Sequence, residues 1–177
     1  MKFSSILLCT LLSLSANAQN AQKPTNNTKP KLVVGIMVDQ MRWDYVNKFK
    51  KHFSSANGFL RLLNEGATCD FTMIPYVPTV TAVGHASVYT GSVPSINGIS
   101  GNNWFDNYTQ KSVYCVDDNS VNSVGIDNSP AGKMSPVNLW TTTIGDELKI
   151  ATNFKSKVIG LSIKDRGAIL PAGHSAD

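Results

Sequence analysis

The chain has 177 residues, 42% hydrophobic and 16% charged, which fits a globular domain with a real core and excludes a solvated, disordered polymer. A net charge of +4 is mild and its lysines are scattered, so nothing argues for a nucleic-acid partner.

The first residues carry an export pattern. Lys2 gives a positive start, residues 6–14 an apolar run, and Ala16-Asn17-Ala18 a small-x-small cleavage site. A signal peptide is expected over 1–18, cut near Ala18, with a periplasmic or secreted product. The run is too short to span a bilayer comfortably, and no later stretch is apolar enough for a stable membrane anchor. Cys9 lies inside the run instead of at its end, against a lipoprotein. Residues 19–30, rich in Asn, Lys, Thr and Pro, read as a disordered leader before a domain over 31–177. Removal of Cys9 leaves Cys69 and Cys115, either bridged or two buried free thiols. Neither belongs to a metal pattern.

Residues 31–38 are a nearly continuous apolar run, the mark of a strand buried on both faces. Asp39 follows it directly. In open α/β sheets ligands gather beyond the carboxyl ends of strands, so a carboxylate there is placed to hold a cation; its plain alternative is a helix cap. Residues 42–53 read as a helix with Trp43, Val46 and Phe49 on one side and solvated lysines outside. A second short helix is expected over 57–64, stopped near Gly66, then a strand over 67–74.

Pro75 and Pro78 keep the next approach extended, since each biases its predecessor away from helical angles. Apolar residues then recur at helical spacing from Ala82 to Tyr89, closed by Gly91. Thr81 therefore stands where a loop becomes a helix. A hydroxyl there faces free backbone N–H groups and the positive end of the helix dipole, which suits a phosphate or an alkoxide. The plain alternative is that Thr79 or Thr81 is an N-cap.

The stretch 92–104, dense in Gly, Pro, Ser and Asn, predicts a loop. In it Asn102 is either an amide donor to an oxyanion or a turn residue. A hairpin is expected around residues 106–111, between Trp104-Phe105 and Ser112-Val113-Tyr114-Cys115. Residues 117–135 read as a polar surface excursion in which Asp117 and Asp118 are solvated. A helix over 139–151 and a second buried strand over 157–163 follow. Lys164 and Arg166 alternate past that strand: a point charge and a planar fork, suited to phosphoryl oxygens, or else an ordinary charged strand end. The succession of elements predicts a layered α/β/α fold with a mostly parallel central sheet.

Four separated motifs, Val38-Asp39-Gln40-Met41-Arg42, residues 78–85 around Thr81, Gly101-Asn102-Asn103-Trp104 and Ser162-Ile163-Lys164-Asp165-Arg166, resemble secreted phosphate-irrepressible alkaline phosphatases. These are Thr-nucleophile monoesterases of the alkaline phosphatase superfamily, and the likeness runs from about Lys31 to His174. It implies that Thr81 is the catalytic nucleophile and a ligand of one of two zinc ions. It implies that Asp39 is a metal ligand, and that Asn102, Lys164 and Arg166 bind the phosphoryl group. The implied substrate is a small-molecule phosphate monoester, hydrolysed through a covalent phosphothreonine. The basic pair marks monoesterases off from diesterase relatives.

Further Asp and His ligands of that family lie beyond the Lys164-Asp165-Arg166 motif. His52 reads as exposed and His85 as structural, and His174 has no matching role. The expectation is therefore an N-terminal portion of the domain, apparently truncated and inactive on its own. Two alternatives stand beside it: a phosphodiesterase or nucleotide pyrophosphatase of the same superfamily, or an inactive exported anion-binding fragment.

Overall fold

The computed structural model describes residues 29–54, 57–125 and 129–177. The signal peptide expected over 1–18, and the leader 19–30 except its last two residues, lie outside them. The chain divides into two units, Met1–Ile36 and Met37–Asp177. The described residues of the first form neither helix nor strand.

In the second unit the helices are α1 (Tyr45–Lys48), α2 (Gly58–Glu65), α3 (Thr81–Thr90), α4 (Pro94–Asn97), α5 (Ile144–Ala151) and α6 (Asp165–Ala172). Two strands, β1 (Asn103–Asp106) and β2 (Lys111–Tyr114), form the expected hairpin, antiparallel with Trp104 opposite Val113. Helix α3 sits at the centre. It packs on α6, α4 and α5, and Ala82, Val83 and Ala86 are fully buried on it. Small side chains there let neighbouring backbone come close at native packing density. Ile99, Cys115, Val116, Leu139 and Leu170 complete the core around it.

The start of α3 decides one alternative. Its N-cap is Val80, in extended conformation and with no side-chain capping bond, so neither Thr79 nor Thr81 is the cap. Thr81 is the first helical residue. At the other end Gly91 takes φ +65, the left-handed stop that the sequence predicts.

Three expected strands are corrected. Residues 31–38, 67–74 and 157–163 carry no strand, and their apolar side chains stand in solvent: Val33, Val34, Phe71, Met73, Ile159 and Leu161 are exposed, the last at 89%. An apolar run states a preference for burial, whereas a strand also needs a neighbour for its N–H and C=O groups. Among the described residues no extended neighbour pairs with these runs. The mostly parallel central sheet is accordingly not among the elements seen, and the β1–β2 hairpin is the sheet found.

The helix expected over 42–53 is also shorter. After four α-helical residues the chain tightens into a 3-10 turn at Lys50–His52, and Trp43 is 83% exposed. So short a helix gains little without a face to bury.

Helix α5 begins at Ile144 instead of 139. Thr143 is its N-cap, its Oγ1 accepting from the Asp146 N–H at 3.2 Å while Asp146 Oδ2 accepts from the Thr143 N–H at 2.8 Å. The Thr143-x-x-Asp146 spacing is a capping-box pattern, and it marks the helix start more locally than the apolar spacing from 139 does. Asp146 also accepts from the backbone and hydroxyl of Ser175 at 2.7 and 2.6 Å. Burial works to raise the Asp146 carboxyl, but bonds from Ser175 and Thr143 outweigh it and hold the group below the usual carboxylate range. Nearby, the buried Lys149 ammonium meets Asp177 at 2.6 Å.

Gly173 closes this network. It takes φ +82, and a Cβ there would run into Asp146 Oδ2 and Thr143 Oγ1. Gly173→Ala is therefore expected to cost about 1–3 kcal/mol, through left-handed strain and a disrupted buried carboxylate. A lowered urea midpoint at unchanged m-value measures it.

Candidate functional site

The site is built on the N-terminus of α3. Thr81 Oγ1 donates to Asp39 Oδ2 at 3.0 Å, joining residues 42 positions apart. Lys164 Nζ lies 3.7 Å from the same carboxylate oxygen. Asp39 and Lys164 are exposed and Thr81 is half-buried, so the ion pair by itself contributes little stability. Its importance is geometric: a hydroxyl, a carboxylate and an ammonium share one point.

Asn102 completes the helix end. Its Oδ1 accepts from the Ala82 N–H at 2.9 Å, taking the capping duty that no threonine performs. With the carbonyl oxygen committed, the amide nitrogen is the donor Asn102 has left to offer. Its backbone carbonyl in turn accepts from the Cys115 N–H at 3.0 Å, so the hairpin fixes its place.

Lys164 and Arg166 do not alternate on a strand end, as expected. Lys164 is the N-cap of α6 and Arg166 lies in that helix's first turn. The reversal follows from the absence of a strand over 157–163. Arg166 stands apart from the Asp39 cluster in its contacts. Its Nη1 donates to the Tyr114 hydroxyl at 2.8 Å, and that hydroxyl donates to Asp165 Oδ1 at 2.5 Å. The guanidinium also lies over the Tyr114 ring, 5.8 Å from its centroid. Its Nε is buried with no partner among the described residues. A buried unpaired donor costs about 1–3 kcal/mol, and such a group invites the question of an acceptor that belongs there.

Burial first, and the bond to Asp165 second, raise the Tyr114 phenol above its ordinary value, so it stays protonated in mildly alkaline solution. Tyr114 and Asp165 are the contacts that sequence reasoning missed. By sequence Tyr114 is only a hairpin residue, and nothing in a single sequence sets it beside an arginine 52 positions away.

The remaining candidates fall outside the cluster. His85 is buried on α3 and its Nδ1 donates to the Thr81 carbonyl at 2.8 Å, a structural bond. His52 and His174 are exposed. Cys69 and Cys115 are both free thiols, and burial pushes the Cys115 thiol up to about 11, which leaves it unreactive.

Asp39 and Thr81 fit a hard divalent cation as two oxygen donors. They are not a complete set, since zinc takes about four ligands. Among the described residues no group of three or more His, Cys, Asp or Glu is gathered for a metal.

A family model described as type I phosphodiesterase / nucleotide pyrophosphatase matches residues 33–166. The chain belongs to that family, within the alkaline phosphatase superfamily. Alkaline phosphatase PhoV of Synechococcus elongatus is 55% identical over all of this chain and 33% of its own length. A protein of Myroides odoratus named calcium-transporting ATPase is 58% identical over 84% of the chain and 27% of its own. The crystal structure of the alkaline phosphatase PafA matches with a TM-score of 0.80 at 55% identity, over 83% of this chain and 28% of that one. A second PafA structure carries substitutions at a threonine, an asparagine, a lysine and an arginine, spaced along its chain as Thr81, Asn102, Lys164 and Arg166 are along this one. The fold is thus the alkaline phosphatase-like α/β fold, and this superfamily member spans about a third or less of the length of the relatives it matches. No helix among the described residues is long and apolar enough to cross a membrane.

Proposed function

We propose that these residues are the N-terminal portion of an exported, zinc-dependent phosphate monoesterase. The observation that carries this is the Thr81 hydroxyl on Asp39 at the N-terminus of α3, with Lys164 on the same carboxylate. Thr81 Oγ gives up its proton and attacks phosphorus as the bond to the ester oxygen breaks, so the alcohol leaves with a proton and phosphothreonine remains. Water then attacks phosphorus, the bond from phosphorus to Thr81 Oγ breaks, and inorganic phosphate leaves as the water proton returns to Thr81. Asp39 and Thr81 would hold the metal, whose charge lowers the pKa of a hydroxyl that is otherwise a poor nucleophile. The Asn102 amide, Lys164 and Arg166 take the non-bridging oxygens, and the α3 N-terminus adds its partial positive charge. The other metal donors come from outside these residues. In the same reading the apolar runs at 31–38 and 157–163 are strands of a mostly parallel sheet, completed by partners that these residues lack, and residues 1–18 are a cleaved signal peptide.

Phosphodiesterase activity is the second reading, favoured by the description of the matching family model. Two cations at Lys164 and Arg166 suit a dianionic monoester better than a diester, whose phosphate carries one charge fewer. The transport in the name of the Myroides relative finds no support in this geometry, whereas the phosphate chemistry in both relatives' names does.

Paired aryl substrates with one leaving group test the choice. The intact protein is expected to hydrolyse the monoester at least about 10²-fold faster than the diester, to lose activity to a chelator and to regain it with zinc. A diester preference would overturn the monoesterase reading.

A further inference from the structure

We propose that Tyr114 is a positioning residue for Arg166, holding the guanidinium fork where a phosphoryl group meets it; this rests on the monoesterase reading above. An arginine at the start of a helix has a long stem with many rotamers, and an unrestrained fork would sample orientations useless to a tetrahedral oxyanion. Here the fork is tied. Nη1 is committed to the Tyr114 oxygen at 2.8 Å, and that oxygen is oriented in turn because its own proton goes to Asp165 Oδ1 at 2.5 Å. Asp165 Oδ1 also accepts from the Arg166 backbone N–H at 2.6 Å, so the acceptor and the arginine are locked to one helical turn. The aromatic face beneath the guanidinium removes a further freedom. Nε is then left buried and unpaired, a donor that a ligand oxygen would satisfy.

The hairpin gives this tie its register. Tyr114 stands opposite Asn103 across β1 and β2, and the next residue, Cys115, donates to the Asn102 carbonyl. The asparagine and the arginine proposed to hold the same phosphoryl group are thus referenced to one rigid hairpin. A change at Tyr114 reaches substrate through Arg166 and not by contact of its own.

The experiment is a double-mutant cycle in the intact, metal-loaded protein, using Tyr114→Phe, Arg166→Ala and the pair. Tyr114→Phe keeps the ring and removes only the hydroxyl. It is expected to lower kcat/KM for an aryl phosphate about tenfold and to weaken binding of inorganic phosphate, measured by calorimetry, in parallel. In the Arg166→Ala background the same change should alter both by less than about twofold, because coupled residues are not additive. Undiminished phosphate binding in Tyr114→Phe, or a full tenfold loss added on top of Arg166→Ala, overturns the proposal. Should Tyr114→Phe fold poorly by its melting curve, Asp165→Asn, which removes the charged acceptor for the phenol proton, is run through the same cycle with the same expectations. The phosphate measurement separates two failures. A wild-type protein with no phosphatase activity sinks the monoesterase reading, while the calorimetric cycle still decides whether Tyr114 acts through Arg166.

Discussion

Thr81→Ala in the intact protein is expected to reduce turnover of an aryl phosphate by about 10³-fold or more, with the fold unchanged. Thr81 is the first residue of α3, half-buried, and its hydroxyl makes a bond to Asp39 without serving as the cap. Removing the Oγ therefore leaves the helix end intact, because Asn102 satisfies the Ala82 N–H and Val80 already supplies the extended cap conformation. Stability should change by less than about 1 kcal/mol, as is usual for a partly exposed site with no cap to lose. Thr81→Ser, which keeps the oxygen, should retain activity to within about tenfold of wild type. Acid-quenched wild-type protein should yield a phosphorylated peptide containing Thr81, absent from the alanine variant. An alanine variant with wild-type turnover would remove Thr81 from the chemistry altogether.

The second large effect is expected at Asp39. Its Oδ2 is the one atom that meets both Thr81 and Lys164. Asp39→Asn is nearly isosteric but withdraws the negative charge, so a divalent cation loses a strong oxygen donor and Lys164 loses its counter-charge. Bound zinc per molecule should fall, and kcat/KM should drop by about 10²-fold or more. Added zinc should restore part of the activity, because a weakened site refills by mass action. Asp39 is exposed, so little stability rides on it, and a loss of activity cannot be blamed on unfolding. Full zinc content with full activity in Asp39→Asn would show that the carboxylate serves the fold and not the metal.

Some of the structure was readable from local rules. The α3 helix with its left-handed Gly91 stop, the hairpin of β1 and β2, and α2 ending at Glu65 just before an extended Gly66 follow from periodicity and turn residues, which act over a few neighbours. The runs at 31–38, 67–74 and 157–163 form no strand among the described residues, because alternation and apolar runs encode which face prefers burial and say nothing of who lies alongside. Leu139 shows the same limit from the other side: it is 2% exposed, yet in a loop and not in the helix its spacing predicted.

Sequence by itself determined the inventory of chemistry: a threonine at a loop-to-helix junction, a carboxylate after an apolar run, an amide in a glycine-rich loop, and a basic pair. Order and residue type were enough for these, since each is a local statement about backbone and side chain. Tertiary structure alone decided the pairings: that Thr81 bonds Asp39, that Asn102 in place of a threonine caps α3, and that Tyr114 and Asp165 tie Arg166. Each of those bonds depends on directions within a few tenths of an ångström between segments distant in the chain, and only packing around α3 brings them to a common place.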